Sequence, residues 1–502
     1  MEEIIIPEKI RLKFSVKNCV KSFYYKVKLK FLNDEANSTS FSTEEKKAEE
    51  DNSLIKYNSI LECDYYFYKL QNIEIKVTKI KLSCSMKRFK IGNETLTLST
   101  IILSKNGKFE TKLGKNTNEN FIIEYEINKD IDNNLNIQKN SFLDYIKAGI
   151  EFKLFVAIDY FDNEYHKLSE SKNPFLLTIR NIRQILNDFT RTFEVYGFGN
   201  NLIDNNNKNN INQNFFNLNK DNDTFEGYTA IHYAYYEMFT KIKRNNDSIE
   251  EKKLSPLLEY LLKKIMEQKN PNEYNIIFIL INSLNENDFL NCIDTLIKAS
   301  FLPLSFVFIG IGDNDEKINI INKLSEEKKD QRGNKKIRNN TNFIHLKEKN
   351  FENEDDIYND VLKKIPEQLC EFYFMNKVGL NEIKNRNINN KNSLIVFDTY
   401  NSLLQQIKLE EKDNAAPSFL DINKNKNNEN IKDKNDSVNN NINISINVDT
   451  NNNVNNNVNN NTKSFEYKTR HHTPKDKYII NPNTNQSNDQ KKYKLKNPFK
   501  QQ

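Results

Sequence analysis

LFVAIDYFDNEYH, residues 154–166, decides the fold. It begins with an unbroken apolar run and ends in a loop headed by the carboxylate of Asp159. An apolar run of this kind without alternation, bounded by turn residues, reads as a strand covered on both faces. A strand that delivers an acid to a loop at its carboxyl end is a common way to hold a metal or a ligand, so Asp159 needs helpers from other strands.

The pattern around it repeats. FKLFVAID, FEVYGFG, NIIFILI and LSFVFIGIG are buried runs, and the helical segments NPFLLTIRNIRQILNDF (173–189) and ENDFLNCIDTLIKAS (286–300) stand between them. Buried strands with helical crossovers predict an α/β doubly wound parallel sheet over 141–376. In that architecture ligands bind beyond the carboxyl ends of the strands, where Asp159, Asn282 and the loop after Gly312 gather.

Residues 1–140 read differently. KIRLKFSV, YYKVKLKF, DYYFYKL, IEIKVTKIKL, TLTLSTIIL and FIIEYEI alternate apolar with polar or cationic residues, the mark of half-buried strands, and predict an N-terminal antiparallel β-sandwich. Within it, NDEANSTSFSTEEKKAEEDNS (33–53) reads as a polar surface insertion that could be cut without losing the fold. Residues 377–502 read as a mostly disordered Asn/Lys-rich tail with one short helix in SLIVFDTYNSLLQQIKL, because tracts such as NNNVNNNVNNNTKS have too few apolar groups to offset ordering entropy.

The chain is therefore multidomain, and its 502 residues have room for two or three folded units. Asn, Lys and Ile crowd every region while Gly, Pro and Trp are scarce, so an excess of lysine says little about partners. The net charge of +5, from 74 basic against 69 acidic groups, is too balanced for a nucleic-acid coat. Five separated cysteines without a CxxC pair argue against structural zinc and a disulfide framework. No signal peptide or lipidation box is expected from the termini, and no apolar run reaches the ~20 residues that cross a bilayer.

SFLDYIKAGIEFKLFVAIDYFDN (141–163) resembles the start of the von Willebrand factor A-like (vWA-like) domain of copines. The resemblance continues through FEVYGFGN (193–200), EGYTAIHYAY (226–235), ASFLPLSFVFIGIGDND (299–315) and VLKKIPEQLCEFYFM (361–375), in the family's order. In front of that module copines carry C2 domains, usually as a tandem pair, with loops that bind calcium and acidic phospholipid. Here there is room for one C2-like sandwich, in which IEIKVTKIKLSCSMKRFKIG (73–92) is similar to the family's strand, calcium loop and Ile-Gly segment.

The resemblance implies two metal sites, with Ca²⁺ or Mg²⁺ typical of the family, and both have lost ligands. Where the C2 loop presents aspartates this chain has Lys79 and Lys81, with Lys87, Arg88 and Lys90 following. A calcium clamp needs ~6–8 oxygen ligands, so these five cations are expected to contact anionic headgroups directly. In the A-like site the family pattern maps onto Asp159, Phe161 and Asn163, with Thr229 for the separate threonine, and Asn282 and Ser283 stand where the family has Asp-Gly. Asp159, Asn163, Thr229 and Asn282 are thus a degenerate metal set; tight metal binding is not expected and no cofactor is firmly implied. Asp162 is the neighbour able to rescue a distorted site.

His166, His232 and His345 are scattered and read as structural, and His471 and His472 fall in the tail. GFGNN (197–201) lacks the third glycine of a dinucleotide turn and reads as a strand end. No nucleophile with a predictable base, no P-loop and no C-terminal zinc RING of the copine-domain ubiquitin ligases is legible, so no enzyme is expected. The expected role is that of a cytoplasmic adaptor, peripherally associated with the plasma membrane or other intracellular membranes. It would bind anionic phospholipid with little or no calcium dependence and unidentified proteins through its A-like domain, and no nucleic acid. The alternative is a soluble protein–protein scaffold without membrane binding.

Overall fold

The computed structural model describes residues 7–32, 40–82, 87–112, 117–128, 140–161, 164–199, 214–219, 223–241, 252–268, 270–326, 328–330, 332–347 and 360–389. All of them fall in one compact unit, Met1–Leu420. The short helix expected in 393–409, the low-complexity tract, His471, His472, Asp162 and Asn163 lie outside the described residues.

The N-terminal sandwich is built from β1 (Glu8–Cys19), β2 (Phe23–Leu32), β3 (Phe41–Ser42), β4 (Lys46–Lys47), β5 (Ser53–Tyr65), β6 (Asn72–Lys81), β7 (Lys87–Thr97), α1 (Leu98–Ile102), β8 (Lys108–Lys112) and β9 (Asn120–Ile127). One sheet runs β5-β1-β9-β8 and the other β3-β2-β6-β7, with β4 also on β2; every pairing is antiparallel. Period-two alternation places Val27, Leu29 and Phe31 against Ile73, Ile75 and Val77 inside, while lysines of the same strands face water.

Three local expectations are corrected. Residues 40–53 are not a dispensable insertion: β3 and β4 pair with β2, Thr43 and Ala48 are buried, and Phe41 stacks on Phe14 at 5.2 Å. A small residue such as Ala or Thr fills a sandwich rim as well as a larger apolar one, so polarity of composition misled there. DYYFYKL is not a strand: β5 ends at Tyr65, and a turn held by Gln71 follows, its Oε1 accepting from Tyr66 N at 2.9 Å. TLTLSTIIL splits at Thr97, whose hydroxyl caps α1 by accepting from Thr100 N at 3.1 Å; Leu98, Ile101 and Ile102 then share the helical face toward the core.

The second part consists of α2 (Phe142–Ala148), β10 (Glu151–Asp159), α3 (Pro174–Leu186), β11 (Thr192–Phe198), β12 (Phe215–Asn217), β13 (Phe225–Glu226), α4 (Tyr228–Lys241), α5 (Ser255–Met266), β14 (Glu273–Ile281), α6 (Glu286–Ala299), β15 (Leu304–Ile311), α7 (Asp315–Asn322), β16 (Thr341–Leu346), α8 (Ile365–Met375) and α9 (Leu380–Asn389). Its sheet runs β12-β11-β10-β14-β15-β16, parallel from β11 to β16, with β12 and β13 antiparallel on β11. Leu154, Val156 and Ile158 of β10 enter one core and Phe155 and Ala157 the other, which is the doubly wound arrangement. The chain goes from β10 out to β11 and returns across it to β14, so the switch point falls between the ends of β10 and β14.

The sandwich and the α/β layer share a continuous core. Phe67 packs against Phe142, Phe152 and Phe189 at ring distances of 4.9, 5.6 and 5.1 Å. Glu8 of β1 accepts from Leu143 N at 3.2 Å, and Thr100 donates to Asp188 at 3.3 Å. Order also persists past 376: α9 packs on α2 with Ile383 fully buried, and Asn272 Nδ2 donates to the Ile383 carbonyl at 3.2 Å. The tail therefore begins later than its composition implied, because one buried isoleucine is enough to fasten a polar helix to the domain.

Candidate functional site

At the switch point, Asp159 ends β10 and is wholly buried. Its Oδ1 accepts from Phe161 N at 3.0 Å and its Oδ2 from Asn282 N, just past β14, at 3.1 Å. Gly199, at φ 81° after β11, closes the third side: a Cβ there would stand 3.0 Å from Asp159 Oδ1 and 3.1 Å from Phe161 Cβ. Glycine is required for both the conformation and the approach.

The fourth side is a lysine. Lys252 Nζ donates to Asp159 Oδ2, to Asn282 Oδ1 at 3.0 Å and to Ser283 Oγ at 3.2 Å, and Ser283 Oγ donates to Asn282 Oδ1 at 3.1 Å. The lysine side chain is 4% exposed and that of Asp159 0%. The rings of Phe161 and Phe198 flank the ammonium at 5.7 and 5.8 Å. Asp288 of α6 fixes the chain just beyond Lys252, accepting from Ser255 N at 3.0 Å and from Leu254 N and the Ser255 hydroxyl.

Behind Asp159, its carbonyl accepts from His166 Nε2 at 2.8 Å, while His166 Nδ1 meets the hydroxyl of Tyr235, which also takes Asn173 Nδ2 at 3.0 Å. His166 stacks on Phe175 at 4.4 Å and on Tyr160 at 5.1 Å. Burial pushes the Tyr160 and Tyr235 hydroxyls far up, so they remain neutral. This layer fixes the strand end.

Of the four residues expected here, the fold brings Asp159 and Asn282 together. Thr229 is exposed in the first turn of α4, and Asn163 is outside the described residues. Phe161 contributes its backbone N–H and its ring. Lys252 was not legible: it lies 93 residues from Asp159 in a lysine-rich chain, with no local motif around it.

The second constellation is at the sandwich edge. Lys81, Lys87, Arg88 and Lys90 are exposed, as are Leu82 (52%) and Phe89 (47%). Residues 87–90 of β7 are exposed on both faces, while their partners in β6 remain paired with β2 and Ile80 stays buried, so this end of β7 is an exposed sheet edge. Lys79 is not part of that free set. Its Nζ bonds Glu119 Oε1 at 2.9 Å and lies over the Phe23 ring at 4.4 Å, and Tyr25 donates to the same oxygen at 3.2 Å. Burial raises the Glu119 carboxyl, but hydrogen bonding and the charge of Lys79 outweigh it and hold the group below the usual range. Among the described residues no cluster of three or more His, Cys, Asp or Glu could hold a metal ion.

The copine family model matches residues 164–381, which include β11, β14, β15 and their helices. Copine-F of Dictyostelium discoideum is 27% identical over 224 residues, 41% of this chain and 38% of that protein. Residues 164–381 form a divergent copine-family domain. The chain spans less than half the length of the curated relatives it matches, Copine-D included. Among solved structures, the SpRpn10 VWA domain matches 46% of this chain and 97% of its own, at 11% identity and a TM-score of 0.26. A C2 domain of plant extended synaptotagmin 1 matches 25% of this chain and 99% of its own, at 14% identity and a TM-score of 0.18.

Proposed function

We propose that this protein is a peripheral membrane adaptor whose sandwich contacts anionic phospholipid without calcium, leaving the A-like domain to bind a protein partner. The observation that carries the reading is the exposed edge at the end of β6 and β7, where Lys81, Lys87, Arg88 and Lys90 accompany the exposed Leu82 and Phe89. Each Lys or Arg near an anionic surface contributes ~1 kcal/mol, and a partly inserted aromatic adds apolar burial of ~1 kcal/mol or more. The four cations together give roughly 4 kcal/mol, a weak and reversible contact. No helix among the described residues is long and apolar enough to cross a membrane, so a contact of this kind is by surface attachment.

A specific observation favours a second reading: β7 is the last strand of its sheet, and cations on an edge strand prevent sheet-to-sheet aggregation. Co-sedimentation of the full chain with vesicles separates the two. The adaptor requires pelleting with phosphatidylserine vesicles in EDTA, little with neutral vesicles, and a tenfold or greater loss in Lys81→Glu/Lys87→Glu/Arg88→Glu. Equal pelleting with both vesicle types, or none with either, leaves edge protection as the role of these cations.

A further inference from the structure

The copine resemblance implies a divalent cation at the end of β10, and the residues present do not fit one. Each oxygen of Asp159 already accepts hydrogen bonds, and the Asn282 amide oxygen is taken by Lys252 and Ser283. Asn282 Nδ2, buried without a partner among the described residues, is a donor, which a cation cannot use. The centre of the cluster, where carboxylate, amide and hydroxyl oxygens converge, contains the Lys252 ammonium.

We propose that Lys252 is a built-in cation that replaces the divalent ion of the A-like cleft. A carboxylate, an amide carbonyl and a hydroxyl offer three oxygens, which match the three N–H donors of an ammonium and fall short of the near-octahedral set that Mg²⁺ demands. The net charge of the Asp159–Lys252 pair is zero, so a second cation entering the cluster would meet an ammonium at contact distance whose carboxylate partner is already taken. Asp288 holds the backbone on which the lysine is mounted, so the cation is positioned by folding and not by ion concentration. The cleft therefore holds its cation without any divalent ion, and what binds on this face does so independently of divalent ions. This inference does not rest on membrane binding.

The test uses the full chain. Melting temperatures are compared in EDTA and in millimolar Mn²⁺ for the wild type, Asp159→Asn, Lys252→Met and the double variant, and Mn²⁺ uptake by the wild type is followed by electron paramagnetic resonance. The expected wild type melts at the same temperature in both buffers and takes up no Mn²⁺ that Asp159→Asn abolishes. Lys252→Met lowers the melting temperature on the order of 10 °C, as does Asp159→Asn, and the double variant melts no lower than the worse single. Mn²⁺ that raises the wild-type melting temperature and is lost in Asp159→Asn overturns the proposal, and so do losses that add in the double variant. The wild-type arm decides the matter even if Lys252→Met does not fold.

Discussion

Lys252 Nζ donates to Asp159 Oδ2 across 93 residues of chain, with side chains 4% and 0% exposed. The exposed lysines at the β7 edge carry the same charge in the opposite environment. Buried pairs are screened by salt far less than exposed charges, for which the Debye length shrinks from about 10 Å at 0.1 M to about 3 Å at 1 M.

The two sets of cations should separate on a salt titration. Between 0.1 and 0.5 M NaCl the melting temperature set by Asp159–Lys252 is expected to change by no more than a few degrees, while vesicle co-sedimentation falls by an order of magnitude or more. Calorimetry and pelleting on one preparation check it, and vesicle binding unchanged by salt would remove the electrostatic account of the β7 edge.

Glu8 makes stability at the junction of sandwich and α/β layer depend on pH. Burial pushes its carboxyl up to about 7 from 4.5, more than the hydrogen bonds from Ser141 and Leu143 N bring it down, and Asp144 adds to the rise. Because the folded pKa is raised, the protonated group's stabilisation is complete below pH 4.5 and is lost as pH rises through 7. The contribution is on the order of 3 kcal/mol, and urea denaturation of Glu8→Gln should lack this part of the slope between those values. A variant with the wild-type slope would show that Glu8 titrates normally.

Gly197 of β11 should tolerate no side chain. A Cβ there would stand 2.3 Å from Cε2 and Cζ of Phe216, whose ring lies across the glycine from β12, and 3.0 Å from Tyr160 Cδ2. Gly197→Ala is expected to cost about 1–3 kcal/mol by overpacking. In Gly197→Ala/Phe216→Ala the methyl group gains room, so the double variant should lose less than the sum of the singles by urea denaturation.

Much of the architecture was legible because strand and helix periods are written locally. The uninterrupted apolar runs of β10, β14 and β15 announced a doubly covered sheet, and the alternation in β1, β2, β6 and β9 announced the sandwich. Reading failed where period and partner conflict. The segment 53–63 alternates yet was not among the strands read from the sequence, and its pairing with β1 makes it the first part of β5. TLTLSTIIL looks extended until Thr97 is seen to cap the helix that follows it. Lys79 was read as a free surface cation because no local signal joins it to Glu119, 40 residues on.

The sequence by itself determined that Asp159 would end a central strand and that Asn282 would face it, since both follow from apolar runs whose ends are marked in the chain. Only the tertiary structure decided which cation they would share. In a chain with 74 lysines and arginines no single lysine is conspicuous, and the one that matters is selected by distance, burial and three oxygens that come together only after the sheet has closed.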